Sequence, residues 1–267
     1  MNLNLFNNKR IVLVGPSPHL LDKNLGKFID SFDIVVRVNE IGVTPDLYKD
    51  YGSRTDVAFL TLSEEAVPIY KEMINNVNYD QLKLIVHPRD ENNLNPIRNE
   101  KTENVSTYYN LLNLDIDYYQ IDKPTIFETT DLFGCFPSTG SLTILELLNY
   151  NYCELYICGF SFYLTKYRYQ PKRMEWWRIP KKNQHKHNYR QGGHNTRQEV
   201  KVLKKILKKH SNINGDKLFQ KVIFSETMMY YEIRRFIIYK LNFDNYKNII
   251  KKIFRRKTYI KILNKYK

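Results

Sequence analysis

Three short segments of this 267-residue chain hold the side chains best suited to chemistry. Val14-Gly15-Pro16-Ser17 ends an apolar run. A glycine there lets the backbone approach an anion, and a serine hydroxyl or a following helix N-terminus can donate to phosphate. Pro137-Ser138-Thr139-Gly140 leads straight into the apolar stretch SLTILELLNY. Ser or Thr in that position is N-cap chemistry, and the same positive helix end can hold a carboxylate or phosphate. Gly193-His194-Asn195-Thr196 precedes Glu199 and a third helical pattern. An imidazole titrates near neutral pH, so His194 beside a flexible Gly-Gly pair suits a general base. Each segment also has a plain structural reading: a tight turn, an ordinary cap, a surface histidine.

These segments need a frame. Lys9–Val14 and Asp33–Val38 read as buried strands flanking a turn and a helix-spaced stretch (Leu20, Leu21, Leu25, Phe28, Ile29, Phe32), which makes one βαβ unit. Further strands are expected at Val57–Leu60, Leu82–His87, Asp117–Ile121, Leu155–Cys158 and Lys221–Phe224. Helical patterns fall at Glu64–Asn75, Ser138–Asn149 and Thr196–Lys209. Such alternation predicts an α/β fold: a mostly parallel sheet with helices on both faces. Residues 163–193 form a long polar and aromatic stretch without periodicity, which reads as a functional lid or a disordered segment.

Composition narrows the classes. The three cysteines, at 135, 153 and 158, form no disulfide framework. No run of about 18 apolar residues appears, so no bilayer span is expected, and the N-terminus lacks the pattern of a signal peptide. Of the net charge of +14, residues 247–267 supply nine cations and no acid, so the excess belongs to the tail. Gly15 stands without the Gly-x-Gly-x-x-Gly pattern of a dinucleotide-binding oxidoreductase.

Taken in order, the motifs resemble the eukaryotic-type sialyltransferase family, glycosyltransferase family 29, with its sialylmotifs. The large motif is similar to Ile11 through Ser17, Leu25 through Asp33, Val36-Arg37-Val38-Asn39 and Asp50 through Asp56. The small motif resembles Pro137 through Gly140 and on to Cys153 through Phe160. The very short motif resembles His194 with Glu199, and the tyrosine-bearing motif resembles His185-Lys186-His187-Asn188-Tyr189. The resemblance spans roughly residues 9–210.

The resemblance implies a single-domain, Rossmann-like GT-A variant that takes CMP-sialic acid, needs no metal and inverts configuration. His194 would be the base on the acceptor hydroxyl, and Tyr189 would hydrogen-bond the departing phosphate. Asn39 would contact the nucleotide. Ser138, Thr139 and Gly140 would bind cytidine or the sugar carboxylate, and Gly159 would let the backbone approach cytosine or ribose. Gly15, Ser17, Phe160 and His187 complete the implied substrate-binding set. A CMP-sugar leaves as a single phosphate, which hydrogen bonds and a helix end can stabilise without a metal. Asp115-Ile116-Asp117 has the spacing of a metal-binding Asp-x-Asp but opens a strand, so it is read as incidental.

Two departures stand out. Pro16 replaces the family's Asn and removes one nucleotide-contacting amide, which keeps CMP-Kdo open as the donor. Cys153 sits at the small-motif Cys, but Ile11 occupies its partner position, so the family's disulfide is not expected. The missing disulfide fits a cytoplasmic, bacterial or viral member. In residues 246–267, Ile249, Ile250, Ile253, Phe254, Ile260 and Leu263 recur at helical spacing among the cations. A basic amphipathic helix of this kind suits an anionic membrane surface, which would place the enzyme peripherally on the inner face and suit a lipid-linked acceptor glycan. The expected division is a transferase domain over 1–240 and the helix over 241–267. A basic nucleic-acid-binding protein is the non-enzymatic alternative, but no nucleic-acid motif is present.

Overall fold

The runs Arg10–Val14 (β1) and Ile34–Val38 (β2) are buried along nearly their whole length, the signature of strands covered on both faces. They form the centre of a seven-stranded parallel sheet with Val57–Phe59 (β3), Leu84–His87 (β4), Asp117–Gln120 (β5), Glu154–Cys158 (β6) and Ile213–Gly215 (β7). The order is β5-β4-β3-β2-β1-β6-β7, and every neighbouring pair is parallel. The computed structural model describes residues 3–88, 105–165, 169–170, 172, 175 and 195–241.

The helices are Gly26–Asp30 (α1), Tyr48–Tyr51 (α2), Val67–Ile74 (α3), Val105–Asn110 (α4), Lys123–Phe133 (α5), Thr139–Leu147 (α6), Thr196–Leu207 (α7), Lys217–Phe219 (α8) and Met229–Leu241 (α9). Val12, Val14 and Val35 pack with Ile29, Leu47 and Tyr51, while Ala58 and Ile85 pack with Val67, Tyr70 and Met73. Ile11, Leu13, Val36 and Phe59 point to the other face. They are equally buried, and α6 packs on β2. The chain winds outward from β1 to β5, then returns to the far side of β1 as β6. The winding therefore reverses between β1 and β6, and such a reversal opens a crevice at the C-terminal ends of those strands.

The segment closing the large motif is a structural clamp on the opposite edge. Asp30 accepts the Ser53 and Arg54 amides, and Arg54 donates to the carbonyls of Asp30 and Phe32 and to Asp56. Arg37, fully buried, gathers the carbonyls of Tyr51, Gly52 and Arg54 and the Thr55 hydroxyl. Burial lowers its pKa, with Glu40 and Asp30 working the other way.

Two expectations are corrected. Lys221–Phe224 is not a strand: Asp216 caps α8 through the amides of Leu218 and Phe219, and the chain continues as a π-helical turn over Gln220–Phe224. Lys204 Nζ gathers the carbonyls left open there, those of Val222, Ile223 and Ser225. The edge strand is instead the short Ile213–Gly215. The stretch after β1 is not one helix. Asp22 and Asn24 hold positive φ (61 and 55) while their amides bind the Asp50 carboxylate, so only a 3₁₀ turn and the short α1 form.

The chain divides into two compact units, residues 1–226 and 227–267. In the second, α9 carries a half-buried Arg235–Glu232 ion pair. The tail expected to form an amphipathic helix, beyond residue 241, lies outside the described residues. Among the described residues, no helix is long and apolar enough to cross a membrane. The three cysteines are free, and Cys158 is buried, which pushes its thiol well up.

Candidate active site

The crevice at the β1–β6 reversal is built from glycines. Gly15 follows β1 and its N–H donates to the Cys158 carbonyl (2.8 Å). Gly159 follows β6 at φ +74. A Cβ on Gly15 would stand 2.5 Å from the Gly159 oxygen, and one on Gly159 would stand 2.2 Å from the Gly15 oxygen. Only glycine at both positions lets the two strand ends approach this closely. The Phe160 ring lies against Gly15 and also against Gly140, where a Cβ would come within 2.6 Å of it. Phe160 therefore fills the step between the strand ends and the start of α6.

Ser138 caps α6, its side chain accepting from the Ser141 amide. The first N–H groups of a helix have no intrahelical acceptor, so Thr139 and Gly140 present theirs at the positive end of the helix. The Thr139 hydroxyl is 2.8 Å from that of Thr61, which follows β3. The Thr61 amide in turn donates to Asn39 Oδ1 (2.8 Å), and Asn39 holds φ 52 just beyond β2. Contacts thus link Ser17, Gly15, Gly159, Phe160, Gly140, Thr139 and Asn39 along the C-terminal edge of the sheet. The polar atoms of Ser138 have a different use from the expected substrate contact. Its hydroxyl and amide both donate to Glu199 Oε2 (2.6 and 3.1 Å), and the Ser141 hydroxyl joins them. A carboxylate does sit at this helix end, and it comes from α7 of the same chain.

His187, Tyr189 and His194 lie outside the described residues. The residue after His194 is described. Asn195 caps α7 through the Gln198 amide; burial raises the Cys135 thiol, and the backbone of Asn195 beside it works the other way. Cys135 lies three residues before Ser138, and Glu199 binds Ser138. The start of α7 therefore lies against the start of α6, on the same edge as the glycine crevice.

Two residues escaped the sequence reading. His19 Nδ1 is 2.9 Å from Ser17 Oγ, and its Nε2 is 2.9 Å from Asp216 Oδ2. A polar residue ahead of an apolar helix start was the available signal for Asp216. Its contact across the crevice had none. A cavity of about 310 Å³ lined by Tyr48, Arg54, Thr55 and Gln81 lies elsewhere, among residues leading into β3 and β4.

The family model for glycosyltransferase family 29 (sialyltransferase) matches residues 6–211. A search of curated proteins finds no match. Among solved structures, the sialyltransferase CstII from Campylobacter jejuni in complex with cytidine-5'-monophosphate is similar, at 18% identity and a TM-score of 0.50. That likeness covers 81% of this chain and 84% of that one. A mammalian sialyltransferase matches at 20% identity and a TM-score of 0.49, over 81% of this chain and 71% of that one. At such identities the likeness is one of fold.

Proposed function

The chain belongs to glycosyltransferase family 29, the sialyltransferases, and on that premise we propose that it moves a sialic-acid-type sugar from a CMP-activated donor to a hydroxyl of an acceptor glycan. The observation that carries this reading is the juxtaposition of the Gly15–Gly159 crevice with the N-terminus of α6 through Phe160. The reading assigns a flat nucleotide to this backbone edge, where the Thr139 and Gly140 N–H groups offer donors to an anion. CstII was captured with cytidine-5'-monophosphate, and the same nucleotide is assigned here to this edge.

In the proposed reaction His194 removes the proton of the acceptor hydroxyl. The oxygen attacks the anomeric carbon, the bond from that carbon to the phosphate oxygen breaks, and configuration inverts. The electron pair leaves with cytidine monophosphate, whose phosphate Tyr189 hydrogen-bonds. A single phosphate leaves, so hydrogen bonds and the helix end suffice and no metal is required. The position of Asn195 beside Cys135, close to Ser138 in sequence, supports this placement of the base. The fold is accordingly read as a Rossmann-like GT-A variant. Calorimetric titration with cytidine monophosphate tests the assignment: micromolar to millimolar binding supports it, and no binding counts against it.

The tail after residue 241 is assigned to an anionic membrane surface, which suits a lipid-linked acceptor and a peripheral enzyme on the inner face. Co-sedimentation of the full chain with phosphatidylserine vesicles, falling steeply with salt, is the expected behaviour. Equal sedimentation by a chain lacking residues 243–267 would remove the tail from this role.

A further inference from the structure

The cavity of about 310 Å³ is lined by Tyr48, Ser53, Arg54, Thr55, Asn78 and Gln81. Thr55 stands just before β3 and Gln81 just before β4, and these strands run parallel. The cavity therefore lies at the N-terminal ends of the strands, whereas Gly15 and Gly159 follow the C-terminal ends of β1 and β6. Thr55 is buried, Tyr48, Ser53 and Arg54 are half-buried, and Asn78 and Gln81 are exposed.

The lining selects against charge. Arg54 is its one ionised side chain, and a guanidinium has five N–H donors. Nε donates to Gln81 Oε1 (3.0 Å), Nη1 to the Asp30 and Phe32 carbonyls (2.8 and 2.9 Å), and Nη2 to the Asp33 carbonyl and the Asp56 carboxylate (3.3 and 3.0 Å). All five are committed within the chain, so a phosphate or carboxylate finds no donor there. No carboxylate lines the cavity, so a cation finds no partner either. The polar capacity that remains is made of neutral donors. Gln81 Oε1 is taken by Arg54 and Asn78 Oδ1 accepts the Asp80 amide, which leaves the NH₂ group of each. Thr55 Oγ1 accepts from Arg37 Nε, which leaves its hydroxyl hydrogen. The complement is an uncharged molecule crowded with oxygen acceptors, with a C–H face for the Tyr48 ring. That is a sugar, and the volume, near the lower bound of about 300 Å³ for small-molecule sites, suits a single ring.

We propose that this cavity is a second saccharide site, which holds one neutral hexose or N-acetylhexosamine ring at the edge of the sheet opposite the transfer site. Asn78, Gln81 and Thr55 donate to its oxygens, and Tyr48 lies against its face. The site does not depend on the assignment of the nucleotide to the β1–β6 crevice. For an enzyme acting on glycans, a hold on a second sugar raises the effective concentration of the acceptor without touching the reacting atoms.

The test is saturation-transfer NMR on the full-length protein with galactose, glucose, N-acetylglucosamine and N-acetylgalactosamine at millimolar concentration, and with inorganic phosphate as a charged competitor. At least one sugar should bind, and phosphate should not displace it. Asn78→Leu and Gln81→Leu alter exposed side chains, so both variants should fold. Each should weaken the sugar about threefold or more, the size of one lost hydrogen bond. Release of cytidine monophosphate from CMP-sialic acid should be the same in both variants as in the unaltered chain. Absence of any sugar signal, a signal undiminished in either variant, or displacement by phosphate would overturn the proposal. Sugar held at the transfer site instead would show as a signal that both variants leave intact. A chain that binds the sugar as expected but releases no cytidine monophosphate leaves this site standing and counts against the transfer reading alone.

Discussion

Ser138 donates its hydroxyl hydrogen to Glu199 Oε2 over 2.6 Å, joining the first turn of α6 to the first turn of α7. The two motifs are far apart in sequence, and this contact makes them one site. A carboxylate at the start of α6 complements the helix dipole and satisfies the Ser138 amide and the Ser141 hydroxyl as well. It also anchors the helix that begins immediately after His194.

Glu199→Ala should therefore damage both stability and turnover. It leaves buried donors without an acceptor, which costs about 2–4 kcal/mol. The denaturant midpoint should fall accordingly, and transfer should drop because the start of α7 loses its tether. A midpoint within experimental error of the unaltered protein would show that the contact is dispensable.

The glycine crevice makes a sharper contrast. Gly159→Ala would force a Cβ to within 2.2 Å of the Gly15 oxygen at a residue with positive φ, and Gly15→Ala meets the same barrier from the other side. Backbone cannot yield there, so either change should abolish soluble folded protein or nucleotide binding. Gly134→Ala provides the control. Its φ is +60, but nothing lies within 4 Å, so only the backbone cost of about 1 kcal/mol applies. Equal losses at Gly134 and Gly159 would refute the close approach of the two strand ends.

Acid should act partly through Asp216. Burial alone would raise its carboxyl, but the hydrogen bond and charge of His19 and the amides of Phe219 and Gly159 hold its folded pKa below the unfolded one. The folded state therefore favours the ionised form. The resulting stability is fully present above the ordinary aspartate range near pH 4 and is lost as pH falls through the lower folded value. Asp216→Asn should lower stability at neutral pH by about 1–2 kcal/mol, from the weakened cap, and should flatten the acid limb of the stability curve. An acid limb identical in both proteins would remove Asp216 as a contributor.

Much of this fold was legible because buried parallel strands read as continuous apolar runs, as at Ile11–Val14 and Ile34–Val36. The same rule misled at Lys221–Phe224, since a short apolar run has no period that separates strand from buried helix. The local cap at Asp216 and the Lys204 ammonium decided that segment. The true edge strand, Ile213–Gly215, is too short and mixed to announce itself. Within the site, turn chemistry identified the positions of Gly15, Ser138 and Glu199. It could not show that Glu199 is the acceptor for Ser138, or that Asp216 reaches His19 across 197 positions. Both are tertiary contacts, and no local pattern encodes them.

The most direct test of the account is release of cytidine monophosphate from CMP-sialic acid in the presence of chelator, measured beside CMP-Kdo, for the unaltered chain and for His194→Ala. The account predicts metal-independent release with CMP-sialic acid as the better substrate, falling by about 10²–10⁴ in His194→Ala. Release that requires a divalent cation, or that is undiminished by the substitution, would contradict it.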